Sequence, residues 1–274
     1  MMSGNAKLLR KSNKSKKGKM TKEFVKEVIS IPSCSGKEAM LREYIERFSD
    51  ERGVSHRRDG KGNLYLTKGE SDGCYPCMAN HMDTVQSWQG TFADRRALLD
   101  VRERARDGRT ELYTANGGIG ADDKLGCAIA LALVDALPVV KAAFFVEEEL
   151  CMRGSRELDR SWFENVGFCL SFDSPGRTRS SRTCFGRQLY TDTFFAEVLQ
   201  PLCAKHGVTN FNDEPYTDVV QIRDQTRAMC YNVGNGGYRA HCPDEYLVVE
   251  DAQSTFRLGK ALLEKVGGRR CWFE

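Results

Sequence analysis

Three consecutive carboxylates follow an apolar run in residues 144–149, which read FFVEEE. The run starts at residue 139 and is typical of a buried strand. A carboxylate buried beside such a strand is destabilising unless a cation or a proton compensates its charge. One interpretation is that the strand ends at Glu147 and that the three acids lie in water. The other is a binding site, and the same pattern elsewhere in the chain favours it.

Two further predicted strands end in side chains that can bind metal ions. The apolar residues 77–79 are soon followed by His81 and Asp83, and the apolar residues 167–172 are followed at once by Asp173. In parallel α/β sheets, ligands bind beyond the carboxyl ends of the strands. We therefore expect these side chains and the three glutamates to share one site.

A glycine-rich segment and a late histidine complete the candidate set. Residues 116–126, NGGIGADDKLG, bring the backbone tightly around two aspartates, and a Gly-Gly pair precedes the histidine of YRAH. Imidazoles and carboxylates together suit Zn²⁺, with Mn²⁺ or Co²⁺ as alternatives. Even five ligands from the candidate set are too many for one catalytic zinc, but five suit two metal ions that share a carboxylate. The candidates are His81, Asp83, Asp122, Asp123, Glu148, Glu149, Asp173 and His241.

The elements that must position these residues alternate between helices and strands. Helical patterns follow Thr21 and a Ser35–Glu38 capping box, and further ones span residues 125–137, 155–163, 193–205 and 249–266. Strand patterns span residues 63–67, 111–115 and 227–232, whereas the polar residues 84–110 are interpreted as a long surface excursion. This alternation predicts a single-domain α/β fold, with a mixed, largely parallel sheet and helices on both faces.

Composition indicates a globular chain with a basic arm. The chain is 41% hydrophobic and 29% charged, and no apolar run approaches the length of a membrane span. Residues 1–19 contain seven Lys or Arg and no acid, so we expect a disordered arm there and a folded domain over residues 20–274. The arm could contact nucleic acid, but we favour a solvated tail and do not expect nucleic acid as a partner.

The eleven cysteines favour a reducing compartment. Their number is odd, and several lie inside apolar strand or helix patterns, which predicts buried thiols in the cytoplasm rather than a disulfide framework. Cys74 and Cys77 form a single CxxC pair. Without a second pair at zinc-finger spacing, we interpret them as residues that flank a strand, in preference to a redox or metal site.

Five motifs resemble, in their order, the metal-site motifs of the co-catalytic zinc exopeptidases and deacylases. They read NHMDTV, GADDKLG, VEEELCMRGS, SFDSPG and GGYRAHCPDEYL. This superfamily contains peptidase T, glutamate carboxypeptidase-like enzymes and acetylornithine deacetylase. The resemblance extends from about Met20 to the C-terminus, and the ordered set is far more specific than any single motif.

The resemblance implies two divalent metal ions, Zn²⁺ foremost. His81 and Asp173 would bind one ion, Glu149 and His241 would bind the other, and Asp122 would bridge them. The chemistry implied is hydrolysis of an amide by an activated water. We therefore expect an enzyme, a metallopeptidase of the aminopeptidase or dipeptidase kind that acts on a short peptide.

The resemblance also assigns the residues around the metal ions. Glu148 would be the general base, which takes a proton from water and passes it to the leaving amine. Asp83 would accept the second N–H of the His81 imidazole and fix its tautomer. A cis peptide bond would follow Asp122.

The chain departs from many members of the superfamily in length. Only 67 residues separate Asp173 from His241, too few for the elements of the main domain together with a lid domain of about 50 residues. We therefore expect the catalytic domain alone, without a lid or dimerisation domain. The oligomeric state stays open.

The substrate is the least constrained expectation. An enzyme that reads a free amino terminus needs an unpaired acid near the metal ions, whereas one that reads a carboxylate needs an arginine, with Arg187 and Arg239 as candidates. Residues 216–218, YTD, are interpreted as a loop on the substrate side. An N-acyl amino acid deacylase would share the same metal centre. A non-catalytic binding protein that retains the fold is a third interpretation.

Overall fold

The computed structural model describes residues 18–85, 98–115, 117–213 and 215–274. Nearly all of the predicted basic arm lies outside these ranges. The helices are α1 (Lys22–Ile29), α2 (Ala39–Asp50), α3 (Ala121–Ala136), α4 (Arg153–Arg156), α5 (Arg160–Phe163), α6 (Asp192–Phe194), α7 (Gln200–His206), α8 (Val219–Gln225) and α9 (Val249–Val266), and a π-helical turn (Phe195–Leu199) joins α6 to α7. None of the described helices has the length and apolar character needed to cross a membrane.

Fourteen strands in the described residues form three sheets. They are β1 (Ser55–Arg58), β2 (Leu64–Lys68), β3 (Tyr75–His81), β4 (Val101–Arg106), β5 (Arg109–Thr114), β6 (Val140–Phe145), β7 (Val166–Ser174), β8 (Arg179–Ser181), β9 (Thr183–Cys184), β10 (Arg187–Gln188), β11 (Asn210–Asp213), β12 (Met229–Gly234), β13 (Gly237–Tyr238) and β14 (Tyr246–Val248). The main sheet has the order β1-β2-β6-β3-β7-β12-β8-β11.

The centre of the main sheet is parallel. Strand β3 pairs in parallel with β6 and β7, and β12 pairs in parallel with β7. The pairs β1–β2, β2–β6 and β12–β8 are antiparallel. Helix α3 is buried along almost its whole length and packs against β3, β7 and α9. The prediction of a single-domain α/β fold with a mixed, largely parallel sheet is confirmed.

The interpretation of residues 84–110 as a surface excursion is wrong in part. Residues 86–97 lie outside the described ranges, but Val101–Arg106 forms β4, which pairs with β5 at the edge of a four-stranded sheet. Five of its six residues are exposed. An edge strand without a buried face lacks the apolar alternation by which strands are recognised, and the same holds for β1.

The predicted start of the first helix is confirmed, whereas the predicted capping box of the second is wrong. The Thr21 hydroxyl accepts a hydrogen bond from the Phe24 N–H at 3.2 Å. Ser35, in contrast, lies before the helix, and its hydroxyl donates to the Asp83 carboxylate at 2.8 Å. Helix α2 begins at Ala39 without a side-chain cap, because Ser35 has a partner beyond its local sequence.

Gly259 permits close packing between α9 and the main sheet. This glycine lies on the apolar stripe of the helix, where the absence of a side chain allows a neighbouring element to approach closely. A Cβ atom at this position would lie 3.0 Å from the ring of Phe172 and 3.1 Å from Leu133 of α3. Since Phe172 directly precedes Asp173, this contact supports the end of β7 that bears a candidate ligand.

Replacing Gly259 by valine should lower the free energy of unfolding by about 1–3 kcal/mol, because the larger side chain overpacks the contact with Phe172. Chemical denaturation would measure the change. Arg257→Val, at an exposed position of the same helix, is the matched control and should change stability by less than about 0.5 kcal/mol. Equal losses in both variants would contradict the packing explanation.

Candidate active site

Three adjacent strands deliver the candidate residues to one edge of the main sheet. The strand order β6-β3-β7 places His81, the last residue of β3, between the ends of the other two. His81 lies opposite Phe145 in the parallel register, and Glu147 follows two residues later. Asp173 lies near the carboxyl end of β7. The structure thus brings the three predicted strand ends together.

The carboxylate of Asp122 lies between the two histidines. Its Oδ1 atom is 3.1 Å from Nε2 of His81, and its Oδ2 atom is 3.1 Å from Nε2 of His241. On one side, Nε2 of His81 is also 3.7 Å from the Asp173 carboxylate. On the other, Nε2 of His241 is 3.0 Å from Oε1 of Glu149. One carboxylate therefore joins two groups of side chains.

Both groups have the spacing of metal ligands. His81, Asp122 and Asp173 each offer an atom within 4.8 Å of the others, and so do Asp122, Glu149 and His241. A third group of this kind contains His81, Glu148 and Glu149. All five residues that the resemblance assigned to metal ions therefore lie together, and Asp122 belongs to both of the groups that it would bridge.

The three consecutive glutamates occupy different environments. Glu147 has a backbone φ of 52° and forms an ion pair with Lys61 at 2.8 Å. The side chains of Glu148 and Glu149 are each only 8% exposed. An Oε atom of Glu148 lies 3.9 Å from Nε2 of His81. The interpretation that all three acids lie in water is therefore wrong.

Asp83 holds both the His81 ring and the backbone of the two buried glutamates. The Nδ1 atom of His81 is 3.0 Å from the main-chain oxygen of Asp83 and 3.4 Å from its carboxylate. Because the nearer atom is a carbonyl oxygen, Nδ1 carries the proton and Nε2 faces Asp122. The Asp83 carboxylate accepts from the N–H groups of Glu148, at 2.8 Å, and Glu149, at 3.2 Å.

The backbone around Asp122 is held by a residue that the sequence did not single out. The Asp122–Asp123 peptide bond is cis, as the resemblance implied. The buried carboxylate of Glu245 accepts from the N–H of Gly120 at 2.7 Å and from the N–H of Asp122 at 3.1 Å. Glu245 lies within the last of the five motifs, four residues after His241. Its place in that motif is the one sequence signal that could have identified it.

The carboxylate of Asp123 also holds the glycine-rich loop in place through hydrogen bonds. Its carboxylate accepts from Nδ2 of Asn80 at 2.6 Å, from Nδ2 of Asn235 at 3.3 Å and from the N–H of Gly126 at 3.1 Å. Asp123 was a candidate from its position in the glycine-rich segment. In the structure its oxygens are engaged with the loop and with the neighbouring strands, and it belongs to none of the three ligand groups.

Burial and mutual repulsion perturb the acids of the site. Burial raises the pKa of Glu148 to about 10, and burial together with the charge of Asp122 raises the pKa of Asp173 to about 6. Burial opposes ionisation of Asp122 too, but its hydrogen bonds to His241 and His81 hold its pKa well below the usual value. The site therefore concentrates more negative charge than its histidines compensate.

The histidines respond in the opposite direction. Burial lowers the pKa of His81, but Asp173, Asp122 and Asp83 outweigh that influence and raise it well above its usual value. Hydrogen bonds to Asp122 and Glu149 raise the pKa of His241 to about 11. Excess buried carboxylate charge beside imidazoles is the environment that divalent cations stabilise. The donor set fits a pair of such ions.

The arginines proposed for substrate binding are engaged elsewhere. Arg239 forms an ion pair with Asp244 at 2.7 Å, and Arg187 lies 3.5 Å from Asp224. In contrast, Asp218 of the predicted substrate-side loop is buried, and neither of its carboxylate oxygens has a hydrogen-bond partner in the described residues. A single acid in a loop belongs to no sequence pattern that would predict its burial.

No protein-family model matches the chain. A protein from Pyrococcus abyssi, named as a LysW-lysine/LysW-ornithine hydrolase, is 29% identical over 137 residues, which are 50% of this chain and 36% of that protein. The chain thus covers well under two thirds of this curated relative.

Solved structures match more completely. Aminopeptidase PepT from Bacillus cereus superposes with a TM-score of 0.72 and 16% identity, covering 90% of this chain and 98% of that one. Aminopeptidase APDkam598 from Desulfurococcus kamchatkensis superposes with a TM-score of 0.70 and 13% identity, covering 89% and 94%. The predicted resemblance is therefore confirmed at the level of the fold: the chain has the fold of these aminopeptidases, and the proteins it is similar to are named as peptidases and a hydrolase.

Proposed function

We propose that this chain is a metal-dependent hydrolase that cleaves an amide bond of a short peptide, in the manner of an aminopeptidase or dipeptidase. The observation that supports this most directly is the Asp122 carboxylate, whose two oxygens face two histidines in separate ligand groups. We assign His81 and Asp173 to one divalent ion, Glu149 and His241 to the other, and Asp122 to both. Residues 20–274 would form the catalytic domain.

The chemistry of the donor set favours Zn²⁺, with Mn²⁺ or Co²⁺ as alternatives. Two imidazoles and three carboxylates are donors that all three ions accept. Such a pair of ions supplies Lewis-acid polarisation of the amide carbonyl and of the attacking water. The positive charge would also lower the pKa of Glu148 from its raised value toward the range in which it accepts a proton.

The residues of the chain perform the remaining steps. Glu148 accepts a proton from the water as the water attacks the carbonyl carbon, and it then donates that proton to the leaving amine nitrogen. The Asp83 carboxylate fixes the Glu148 main-chain N–H, and the Asp83 carbonyl oxygen orients the His81 ring, so that the base and a ligand are held by one residue. The low exposure of Glu148 shields the proton transfer from bulk water.

The first prediction concerns metal content. The dialysed wild-type chain should retain about two Zn²⁺ ions, whereas Asp122→Asn should retain one at most, because the amide cannot offer two anionic oxygens. Elemental analysis would measure this. Zn²⁺ at 100 times its dissociation constant should stabilise the chelated wild-type chain by about 2.7 kcal/mol, seen as a rise in the unfolding midpoint.

Asp100→Asn is the matched control, since Asp100 is an exposed acid that pairs with Arg102. It should bind as much zinc as the wild-type chain. Full stoichiometry in Asp122→Asn would contradict the bridging role, and peptide hydrolysis that survives exhaustive chelation would contradict the proposed function.

The second prediction concerns the general base. Glu148→Gln should lower kcat by about 10²–10⁴-fold, because the amide cannot take the proton from water, while zinc content stays unchanged. Hydrolysis of aminoacyl-anilides would measure the loss. Glu147→Gln removes the neighbouring acid, which pairs with Lys61 outside the site, and should keep nearly full activity. Equal activity in both variants would refute the assignment of Glu148.

An N-acyl amino acid deacylase is the alternative within the same chemistry, since only the substrate pocket would differ. Comparing aminoacyl-anilides and dipeptides with N-acetyl amino acids, in the presence of Zn²⁺, Mn²⁺ or Co²⁺, separates the two. A non-catalytic binding protein is less well supported, because all five proposed ligands and the proposed base lie together in the fold.

A further inference from the structure

A small pocket lies at the end of the main sheet opposite to the candidate metal ligands. Its lining includes Val166, the first residue of β7, and Arg227, which stands two residues before β12. Asp173 is seven residues further along β7, so roughly 23 Å of strand separates it from the pocket, at the usual rise of about 3.3 Å per residue. The pocket is therefore distinct from the candidate active site.

The floor of this pocket is apolar and rigid. Phe163, at the end of α5, and Val166 are 2% and 1% exposed. The half-buried Trp272 completes the floor, and its indole N–H donates to the main-chain oxygen of Val166 at 2.7 Å. The guanidinium of Arg270 lies 4.5 Å from the centroid of the same ring. Because the indole is held by a hydrogen bond and a cation–π contact, a ligand meets a fixed apolar surface.

Charged groups of both signs border the floor. Arg160, Arg227 and Glu164 are exposed and line the pocket. Nε of Arg160 donates to Oε1 of Gln225, another lining residue, at 3.3 Å. The Gln225 side chain is fixed in turn, because its amide N–H group donates to two main-chain oxygens of α4 at 3.1 and 3.3 Å. One of the two guanidiniums is thus oriented before any ligand binds.

These three charges have no ionic partner among the described residues. No carboxylate lies within ion-pairing distance of Arg160 or Arg227, and no basic group lies within that distance of Glu164. The acids that precede the two arginines in the sequence, Asp159 and Asp224, pair with other arginines. Two positive charges and one negative charge therefore face a single apolar floor, and a ligand that carries both signs of charge complements them.

Size and charge together identify the class of ligand. The cavity volume is about 210 Å³, below the range of about 300–1,000 Å³ that is typical of pockets for drug-sized ligands. An α-amino acid is small enough, and it carries a carboxylate, an ammonium group and a side chain on one carbon. Guanidinium N–H groups match the oxygens of a carboxylate, and the carboxylate of Glu164 matches an ammonium group. An apolar side chain would cover the floor.

We propose that this pocket binds a free α-amino acid with an apolar or aromatic side chain. Arg160 and Arg227 bind its carboxylate, and Glu164 binds its ammonium group. The inference goes beyond the proposed function, because it concerns a second site at the opposite end of the strands. The basic arm of residues 1–19 is a poor occupant, since its seven Lys or Arg side chains would meet the two guanidiniums.

The test reads the pocket directly through the indole N–H of Trp272. In proton–nitrogen correlation spectra of the zinc-loaded full chain, this resonance is assigned by its loss in Trp272→Phe. It should shift saturably on titration with L-phenylalanine. The analogue 3-phenylpropanoate lacks only the ammonium group, and 2-phenylethylamine lacks only the carboxylate. Each should bind about 10-fold to 100-fold more weakly, because the charge-assisted hydrogen bonds at one end are lost.

Two variants assign the two ends of the ligand. The double variant Arg160→Gln, Arg227→Gln should bind L-phenylalanine about as weakly as the wild-type chain binds 2-phenylethylamine. Glu164→Gln should bind it about as weakly as the wild-type chain binds 3-phenylpropanoate. Arg102→Gln, which removes an exposed arginine that pairs with Asp100, is the matched control and should keep wild-type affinity. All these variants should keep wild-type zinc content, because none alters the candidate active site.

Three outcomes would overturn the proposal. The first is an unchanged Trp272 resonance in the presence of L-phenylalanine, and the second is equal affinity of the wild-type chain for the three ligands. Both are decisive even if a variant fails to fold. The third is undiminished affinity for L-phenylalanine in either pocket variant. None of the three ligands has a bond to hydrolyse, so a chain that cleaves no peptide would contradict the proposed function while the resonance still decides this site.

Discussion

The carboxylate of Asp122 has to present one oxygen to each of two histidines, and much of the surrounding structure serves that requirement. The two 3.1 Å contacts fix the carboxylate between His81 on a central strand and His241 in a loop. Rotation of Asp122 by a small angle would break both contacts at once. Its main chain is accordingly held by Glu245, and the next residue is held by two asparagines.

The same requirement explains why so much negative charge is tolerated at one edge of the sheet. Parallel strands β6, β3 and β7 end side by side, so acids that follow them cannot be far apart. Burial raises the pKa of Glu148 to about 10, and burial together with the charge of Asp122 raises the pKa of Asp173 to about 6, so ionisation of both acids is opposed. The two divalent ions that we propose would compensate the charge of these acids, and the folded state would then gain stability from charges that otherwise weaken it.

The sequence predicted the parts of this arrangement that follow from position along a strand or from ordered motifs. His81, Asp173 and the acids after residue 146 could be placed together because apolar strand patterns ended at each of them. Helix α9 was predicted with its observed bounds from its apolar stripe. The cis peptide bond after Asp122 came from the resemblance alone.

What the sequence could not predict depends on partners distant along the chain. Ser35 fitted a capping box with Glu38, but in the fold a hydrogen bond to Asp83, 48 residues away, replaced the local one. Strand β4 has no buried face to produce an alternating pattern. Glu245 and Asp218 are single acids, and only their three-dimensional surroundings distinguish them from surface residues.

Hydrogen-bond donors divide the acids of this site into two kinds. The side chains of Asp83, Asp123 and Glu245 each accept from main-chain N–H groups, so their negative charge is used to hold backbone in place. In the described residues, Glu148 and Asp218 have no such donor. An acid whose oxygens are engaged cannot accept a proton or bind a substrate without breaking the structure around it. An acid without such donors can accept a proton, and this is the physical reason for proposing Glu148 as the general base.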